Sequence, residues 1–294
     1  MGHAYNFGSG VPRDHGKARE WYKKAAARGA DDAQLSLENM AEIEEADQRL
    51  ADAIQALIGT SASQQGARTD VPLSSLPRVT ADTLERATVF VWASEGKKGS
   101  SGTGFFVAPG VIATNAHVVG SAKAKVHVIN KALGSLCPAE IIAVSPVGNR
   151  DYALLRIPPN KAANAPVLRF APKVRRADRV GTWGYPGAVS DRDPKYLALM
   201  RGDVKAVPEV VYSEGVVSTL LEQKPPRIVH TAIISHGNSG GPLVNERGEV
   251  VGINTWIDMD KQSYRQTNLS LPSSDLADFM RKNGVSPRMA PAAP

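Results

Sequence analysis

From about residue 86 onward, the chain alternates short apolar runs with turns rich in glycine and proline, at the period of two that is typical of β-strands. Residues 103–107 (TGFFV) alternate into a turn, and residues 111–119 (VIATNAHVV) form a second apolar run. A third run, residues 151–157 (DYALLRI), opens with an aspartate, and a GNSGGPL segment near the C-terminus lies between two further β-rich stretches. The pattern predicts a mainly β fold for the last two thirds of the chain.

The N-terminal part follows the period of a helix instead. Residues 17–26 (KAREWYKKAA) predict a helix whose Trp21 and Tyr22 fill the gap between two paired helices, and a longer helix is predicted over residues 32–58. Residues 59–82 are rich in Ser, Gln, Gly and Pro and are interpreted as a linker. The predicted organisation is a small α-helical part over residues 1–58, the linker over 59–82, a β domain over 83–284 and a Pro/Ala tail over 285–294.

Composition narrows the classes of function. The chain has 294 residues and a formal net charge of +6, and its Lys and Arg residues are scattered without a basic stripe that includes aromatic residues, so we expect no nucleic-acid binding. The single cysteine, Cys137, cannot form an internal disulfide, and no metal-ligand spacing surrounds it. No apolar run approaches the length of a membrane span. We therefore expect no metal, no cofactor and no transmembrane segment.

Candidate chemistry concentrates in the GNSGGPL segment around Ser239. A serine hydroxyl becomes a good nucleophile when a neighbouring base takes its proton and backbone N–H groups await the oxyanion, and flanking glycines allow the tight turn that this arrangement needs. On its own the segment is more typical of a surface turn, just as a lone His117 or a lone Asp151 is more often structural. Their order along the chain, with each residue beside an apolar strand, favours a catalytic set.

These segments resemble the chymotrypsin-fold serine proteases, and among them the bacterial high-temperature-requirement (HtrA/Deg) branch. The match covers about residues 86–282 and is carried by ATNAHVV around His117, by DYALLRI from Asp151, and by GNSGGPLVN with the following GEVVGINT around Ser239. The resemblance implies a double six-stranded antiparallel β-barrel. It also implies that His117 is the general base, that Asp151 orients it and that Ser239 is the nucleophile. The amides of Gly237 and Ser239, with Asn238 between them, would form the oxyanion hole.

The same resemblance suggests where a substrate binds. Ile233, six residues before Ser239, falls at the base of the primary specificity pocket and offers no carboxylate to pair with Lys or Arg, so we expect cleavage after small to medium apolar residues. His236 falls beside this pocket, where it would contact the substrate. The strand that lines the pocket and pairs with substrate backbone includes Asn254, Thr255 and Trp256. Trp256 either narrows the pocket or packs in the core.

The N-terminal residues 1–34 resemble a partial Sel-like helical repeat, a relative of the tetratricopeptide repeat. Such repeats act as protein-binding scaffolds, so residues 1–58 are expected to offer a surface to a protein partner, besides the protein or peptide substrates of the β domain. Whether the chain forms an oligomer stays open. One segment, residues 187–209, departs from the family pattern as an insertion rich in charge and proline.

Three functions remain in view from the sequence. The first is a serine endopeptidase that acts on unfolded or exposed protein segments. The second is a protein-binding module in which the protease fold serves as a scaffold. The third, an esterase, is disfavoured because α/β-hydrolases place the nucleophile first, in a GxSxG turn. The sequence as given shows no secretory leader, and the resemblance favours the periplasm or cell envelope, with the cytoplasm as the alternative.

Overall fold

The computed structural model describes residues 15–29, 33, 37, 78–95, 98–146, 150–158, 160–190, 192–259 and 266–291. The chain divides into two compact units, residues 1–71 and residues 72–294, and the division falls within the segment interpreted as a linker. Each unit is described by itself below.

The described part of the first unit is a helix, α1 (His15–Ala26), together with helical residues Ala33 and Leu37. Tyr22 is only 4% exposed and packs with Ala33 and Leu37. Trp21 is 40% exposed, so the prediction that it fills the gap between paired helices is wrong. Neighbouring residues on a helix point about 100° apart, and only one of the two rings can face the partner helix. Apart from Ala33 and Leu37, the predicted helix over residues 32–58 lies outside the described residues.

In the described part of the larger unit, twelve strands close into two six-stranded antiparallel barrels, as the resemblance implied. In the first barrel the strand order is β1-β2-β3-β6-β5-β4, and in the second it is β10-β11-β12-β9-β8-β7. The strands of the first barrel are β1 (Thr88–Glu95), β2 (Lys98–Ala108), β3 (Val111–Thr114), β4 (Lys125–Ile129), β5 (Cys137–Val144) and β6 (Ala153–Arg156). The strands of the second are β7 (Arg179–Gly184), β8 (Val211–Leu221), β9 (Arg227–His230), β10 (Pro242–Asn245), β11 (Val250–Met259) and β12 (Gln266–Pro272).

Five helices accompany the barrels in the described part of this unit: α2 (Arg78–Ala87), α3 (Ala116–Val119), α4 (Gly187–Ser190), α5 (Pro194–Met200) and α6 (Ser273–Lys282). Helix α2 begins before residue 82, so the end of the segment interpreted as a linker is helical. None of the helices in the described part of the chain has both the length and the apolar character needed to cross a membrane.

The seam between the barrels is an apolar layer that the β-strand period creates. Successive side chains of a strand point to opposite faces. Phe106 therefore packs in the interior of the first barrel, while its neighbour Phe105 packs in a cluster that the two barrels share. This shared cluster also holds Trp183 and Ile253 from the second barrel, and Phe279 from α6. Each fully buried aromatic or aliphatic side chain of this kind contributes about 1.5–3 kcal/mol, which fixes the barrels against each other.

The described residues of 187–209, predicted as an insertion, pack against the outer face of the first barrel, where Leu199 lies in a cluster with Phe90 and Ile129. Asp193 caps the N-terminus of α5, and its carboxylate accepts hydrogen bonds from the N–H groups of Lys195 (2.9 Å) and Glu209 (2.8 Å). The ring of Tyr196 stands edge-on to Phe90 of β1, with 5.7 Å between ring centroids. The charged, proline-rich segment is thus folded onto β1.

The predicted Pro/Ala tail differs from expectation because its described residues are tied to the second barrel. The N–H of Phe170 donates to Arg288 O (2.8 Å), and the N–H of Ala290 donates to Phe170 O (2.8 Å). Val285 and Ala290 are buried, at 5% and 6% exposure. Composition alone did not indicate this contact, which depends on the backbone of a distant residue.

Candidate active site

His117 and Asp151 are brought together by the pairing of β3 with β6. The two strands are antiparallel, and Thr114 at the end of β3 lies opposite Ala153 at the start of β6. The chain that leaves β3 therefore runs beside the chain that enters β6. His117 lies in the short helix α3 just after β3, and Asp151 lies two residues before β6.

Asp151 holds His117 through two hydrogen bonds. Its Oδ2 lies 2.6 Å from Nδ1 of the imidazole, and its Oδ1 accepts the backbone N–H of His117 at 3.0 Å. The Asp151 side chain is 13% exposed, whereas the His117 side chain is 47% exposed. A carboxylate that accepts the Nδ1 proton fixes the tautomer in which Nε2 is the acceptor. The pair can therefore take up a proton at Nε2.

Asn115 links this pair to the second barrel, and the sequence analysis missed it. Its Nδ2 group donates to the backbone oxygen of Asp151 (2.6 Å) and to Thr255 Oγ1 of β11 (3.2 Å). Asn115 is fully buried. The sequence did offer a signal for Asn115, because a polar residue stands there inside an apolar run, two positions before the candidate base.

The turn that carries Ser239 belongs to the second barrel but is held from the first by Thr103 of β2. The N–H of Thr103 donates to Ser239 O (2.9 Å), and its hydroxyl donates to Gly237 O (2.6 Å). The same hydroxyl accepts the N–H of Tyr185 (3.1 Å). Thr103 is also fully buried, and nothing in its sequence context indicated this role.

The peptide groups of this turn leave two amides available. The carbonyl of His236 accepts the N–H of Gly187 (2.8 Å), and the carbonyl of Asn238 accepts the N–H of Gly241 (2.9 Å). In a trans peptide the C=O and the following N–H point in opposite directions, so the N–H groups of Gly237 and Ser239 point away from these partners. Within the described residues, neither of these two N–H groups donates a hydrogen bond, whereas the N–H of Asn238 donates to Ser235 O (3.0 Å).

Gly237 cannot be replaced by a residue with a side chain without distorting this turn. Its φ is +97°, and a Cβ at this position would lie 2.2 Å from Tyr185 O. Both the backbone conformation and the space exclude any other residue. The glycine thus sets the direction of the amide.

Ser239 lies at the seam between the barrels. Its Oγ donates to Thr255 O at 3.3 Å, and Thr255 Oγ1 in turn accepts from Asn115. A Cβ added to Gly102 of β2 would lie 2.6 Å from Val118 in the histidine helix and 3.0 Å from Ser239 O, so helix α3 and the serine turn approach each other at this glycine. Hydrogen bonds thus connect Ser239, Thr255, Asn115, Asp151 and His117 in series.

The residues expected to bind substrate fall into different environments. Asn254 and Thr255 are buried, and the Oδ1 of Asn254 accepts the hydroxyl of Ser270 at 2.9 Å, so their side chains brace β11. His236 is exposed beside the serine turn. Ile233 is 70% exposed, and its N–H donates to Ser213 Oγ (3.0 Å). The structure does not bring Ile233 into an enclosed pocket, so the expected apolar preference remains a prediction that rests on the missing carboxylate.

Trp256 packs in the core, which is one of the two roles that the sequence left open, and its narrowing of the primary specificity pocket stays a prediction. Its indole is partly buried and packs against the cluster that the barrels share. The same side chain lines a cavity of about 340 Å³ together with His117 and Asp151. Arg227, which the sequence analysis did not single out, lies over the indole, with its Cζ 4.4 Å from the ring centroid.

Replacing Thr103 with valine should damage the serine turn without changing the size of the side chain. The substitution removes the hydrogen bond to Gly237 O and leaves the N–H of Tyr185 unpaired, so we expect the free energy of unfolding to fall by about 1–3 kcal/mol. Turnover of a peptide substrate should fall by about 10- to 100-fold, because the N–H groups of Gly237 and Ser239, the candidate oxyanion hole, shift. Urea unfolding and steady-state kinetics measure the two effects. Thr103→Ser, which keeps the hydroxyl, is the control, and a fully active Thr103→Val would contradict the role of this bond.

His230 of β9 is a buried histidine outside this site. It is 2% exposed, with Nε2 3.0 Å from Ser270 Oγ, and burial lowers its pKa to about 4 from the ordinary value of 6.5. Between these two values the unfolded chain binds a proton that the folded chain does not, so stability falls as the pH falls.

Because of His230, we expect the free energy of unfolding of the wild type to fall by about 2 kcal/mol when the pH is lowered from 7 to 5. In His230→Gln, whose side chain cannot be protonated, the free energy of unfolding should fall by about 2 kcal/mol less than in the wild type over the same pH interval. Urea unfolding at the two pH values, for both proteins, measures the difference. Equally steep losses in the two proteins would show that His230 is protonated in the folded state.

The described residues contain no group of three or more His, Cys, Asp or Glu side chains that could hold a metal ion. The chemistry available at this site is that of a base held by a carboxylate, a hydroxyl and two free amides. Acyl transfer is the reaction class that these groups support.

Comparison with known proteins agrees with this geometry. The family described as "Trypsin-like peptidase domain" matches residues 102–253, and the Sel1 repeat matches residues 1–29. The magnetosome formation protease MamE of Paramagnetospirillum magneticum is 34% identical over 61% of this chain and 23% of its own length. The mitochondrial serine protease HTRA2 of Bos taurus is 34% identical over 62% of this chain and 36% of its own length. The chain thus spans about a quarter to a third of these relatives.

Among solved structures, the serine endoprotease from Yersinia pestis aligns with a TM-score of 0.56 at 24% identity, over 72% of this chain and 67% of that chain. At this level of identity the likeness supports the fold alone. The family match covers half of the chain, and it contains His117, Asp151 and Ser239. The chain therefore belongs to the trypsin-like peptidase family, in which its relatives are HtrA-type serine proteases, and carries a Sel1 repeat before the peptidase domain.

Proposed function

We propose that this chain is a serine endopeptidase in which His117, Asp151 and Ser239 form the catalytic triad. One observation carries the proposal. Asp151 orients His117 through two hydrogen bonds, and the N–H groups of Gly237 and Ser239 in the serine turn have no hydrogen-bond partner among the described residues. Amides that are free of protein partners are the donors that a developing oxyanion can use.

The first half of the reaction is acylation. When substrate binds, the Ser239 hydroxyl exchanges its contact with Thr255 O for one with His117 Nε2, which takes the proton as Oγ attacks the scissile carbonyl. The oxyanion that forms accepts hydrogen bonds from the N–H groups of Gly237 and Ser239. The Asp151 carboxylate stabilises the imidazolium, which then protonates the leaving amine as the peptide bond breaks.

The second half is deacylation. A water molecule gives a proton to His117 Nε2 and attacks the acyl ester, and the same two amides hold the second oxyanion. His117 then returns the proton to Ser239 Oγ, and the carboxylic acid product leaves. Each proton passes through Nε2, which requires the fixed tautomer that Asp151 imposes.

The substrate class that fits this site is an exposed or unfolded protein segment. The reacting groups lie at the seam between two closed barrels, so a substrate must reach them as an extended chain. Extended backbone is available in loops and in unfolded proteins, whereas a regular helix or a sheet interior is not. Protein substrates with little stable structure, such as casein, should therefore be cleaved faster than stable folded domains.

Labelling with a fluorophosphonate tests the proposal. The full chain should become labelled at Ser239, as located by mass spectrometry of its peptides, and should cleave casein. Ser239→Ala should abolish both signals, while Ser218→Ala, at an exposed serine of β8, should keep both. Labelling without peptide-bond cleavage would favour an esterase, and a wild type that neither labels nor cleaves would contradict the proposal.

A further inference from the structure

The cavity of about 340 Å³ that His117 lines is called the interbarrel cavity here, and its lining combines apolar with cationic side chains. It opens between the barrels, with contributions from both. Its apolar surfaces come from Val144, Pro225 and Trp256. Its cationic groups are Arg150, from the first barrel, and Arg227, from the second. The carboxylate on its wall, Asp151, is already committed to His117.

Arg227 is held in place but lacks a carboxylate partner. Its guanidinium lies over the Trp256 indole at 4.4 Å, a stacked arrangement that restrains the group while its N–H edges stay available. Its Nε is buried and, within the described residues, makes no hydrogen bond. No described carboxylate lies within 4 Å of the guanidinium. A buried donor without a partner lowers stability, and an incoming anionic group would remove that cost.

Arg150 adds a second positive charge to the lining of the cavity, from the side of the first barrel. It also has no described carboxylate within 4 Å. The carboxylate of Asp275 in α6 attracts Arg150 only from beyond 4 Å. Burial raises the pKa of Asp275, and the charge of Arg150 lowers it by a smaller amount. Both arginines therefore retain their capacity to pair with a ligand.

The position of the cavity relative to Ser239 indicates which part of a substrate enters it. Thr255 O accepts the hydroxyl of Ser239, and Trp256 follows Thr255 in β11. A peptide extended along β11 rises about 3.3 Å per residue and reaches Trp256 within a few residues of the scissile bond. Side chains of alternate residues would then face the cavity.

We propose that the interbarrel cavity is a substrate subsite that selects an acidic side chain, Asp or Glu, two to four residues before the scissile bond, with Arg227 as the specificity-determining residue. The inference rests on the proposed peptidase function. Val144, Pro225 and Trp256 cover the methylene groups of the acidic side chain, and its carboxylate pairs with the guanidinium of Arg227 through two parallel hydrogen bonds. Arg150 adds a second positive charge that attracts the same carboxylate.

Kinetics on matched peptides test this inference with the full chain. The peptides carry Glu, Gln or Lys at the second, third or fourth position before the scissile bond and are otherwise identical. At one of these positions we expect kcat/KM for Glu to exceed that for Gln by about tenfold, equivalent to about 1.4 kcal/mol, with Lys lower still. The difference should shrink at 1 M salt, where charges are screened within about 3 Å.

Variants identify the residue responsible. Arg227→Gln should abolish the preference for Glu over Gln, Arg227→Lys should keep part of it, and Arg227→Glu should reverse it towards Lys. Arg150→Gln should reduce the preference and provides the test if the Arg227 variants do not fold. Arg176→Gln, at an exposed arginine in the turn before β7, is the matched control and should behave as wild type.

The outcomes separate the inference from the proposed function. An active enzyme that cleaves the Glu, Gln and Lys peptides equally at all three positions overturns the inference and leaves the peptidase assignment intact. A preference for Glu that survives Arg227→Gln with a folded protein also overturns it. A folded wild type that cleaves no peptide at all contradicts the peptidase function itself.

Discussion

Replacing Ser239 or His117 with alanine is expected to lower kcat by about 10⁶-fold. The hydroxyl of Ser239 is the nucleophile in the proposed mechanism, and His117 is the group that takes its proton. Neither side chain is deeply buried, so the free energy of unfolding should change by less than about 0.5 kcal/mol. Steady-state cleavage of a fluorogenic peptide and urea unfolding, on the same preparations, measure the two quantities.

The double variant distinguishes a catalytic set from two independent contributions. Groups that act as a unit are strongly non-additive, so removing both Ser239 and His117 should cost no more than removing either one. Binding of the intact peptide should persist in all three variants. If the two single effects multiplied in the double variant, or if either single variant kept substantial activity, the triad assignment would fail.

Replacing Asp151 with asparagine is expected to lower kcat by about 10⁴-fold, the second largest effect. An amide can turn its NH₂ group towards His117 and donate to Nδ1. That contact favours the tautomer with the proton on Nε2, which cannot accept the proton of Ser239. The geometry should survive, because the amide oxygen can still accept the N–H of His117, the contact that measures 3.0 Å in the wild type.

The loss in Asp151→Asn should be partly reversible by hydroxide. At high pH, hydroxide can replace the missing base, so the activity of the variant should rise with pH over a range in which that of the wild type is flat. Asp178→Asn, at a turn remote from His117, is the matched control and should keep wild-type kinetics. Wild-type activity in Asp151→Asn would show that another group orients His117.

The barrel architecture could be predicted because it depends on short local patterns, and similar patterns mark the three candidate residues of the proposed triad. Alternating apolar residues mark the strands, and the ATNAHVV, DYALLRI and GNSGGPL segments each carry their candidate residue. The structure brings His117 and Asp151 into contact through the register of β3 with β6, which the alternation within each strand does not specify.

The residues that support the site were not predicted, because they act across long sequence separations. Thr103 reaches a turn more than 130 residues further along the chain, and Asn115 joins two barrels through one amide group. Arg227 could not be singled out from the sequence, because its role depends on its contact with the indole of Trp256. Ile233 shows the opposite case: a family position was carried over, yet the side chain is mostly in solvent. In each case tertiary contacts determine the environment.

Because Thr103 of the first barrel holds the serine turn of the second, the site is complete only when both barrels have folded. Ser239 and the free N–H groups of its turn belong to the second barrel, but the carbonyls of Gly237 and Ser239 are held by β2 of the first. During folding, a chain in which either barrel is unformed therefore has no fixed turn and no aligned base. Partly folded copies, which are themselves extended substrates, would meet few active neighbours until both barrels have closed. If the proposed triad is correct, we expect these cross-barrel bonds to limit self-digestion while the chain is still folding.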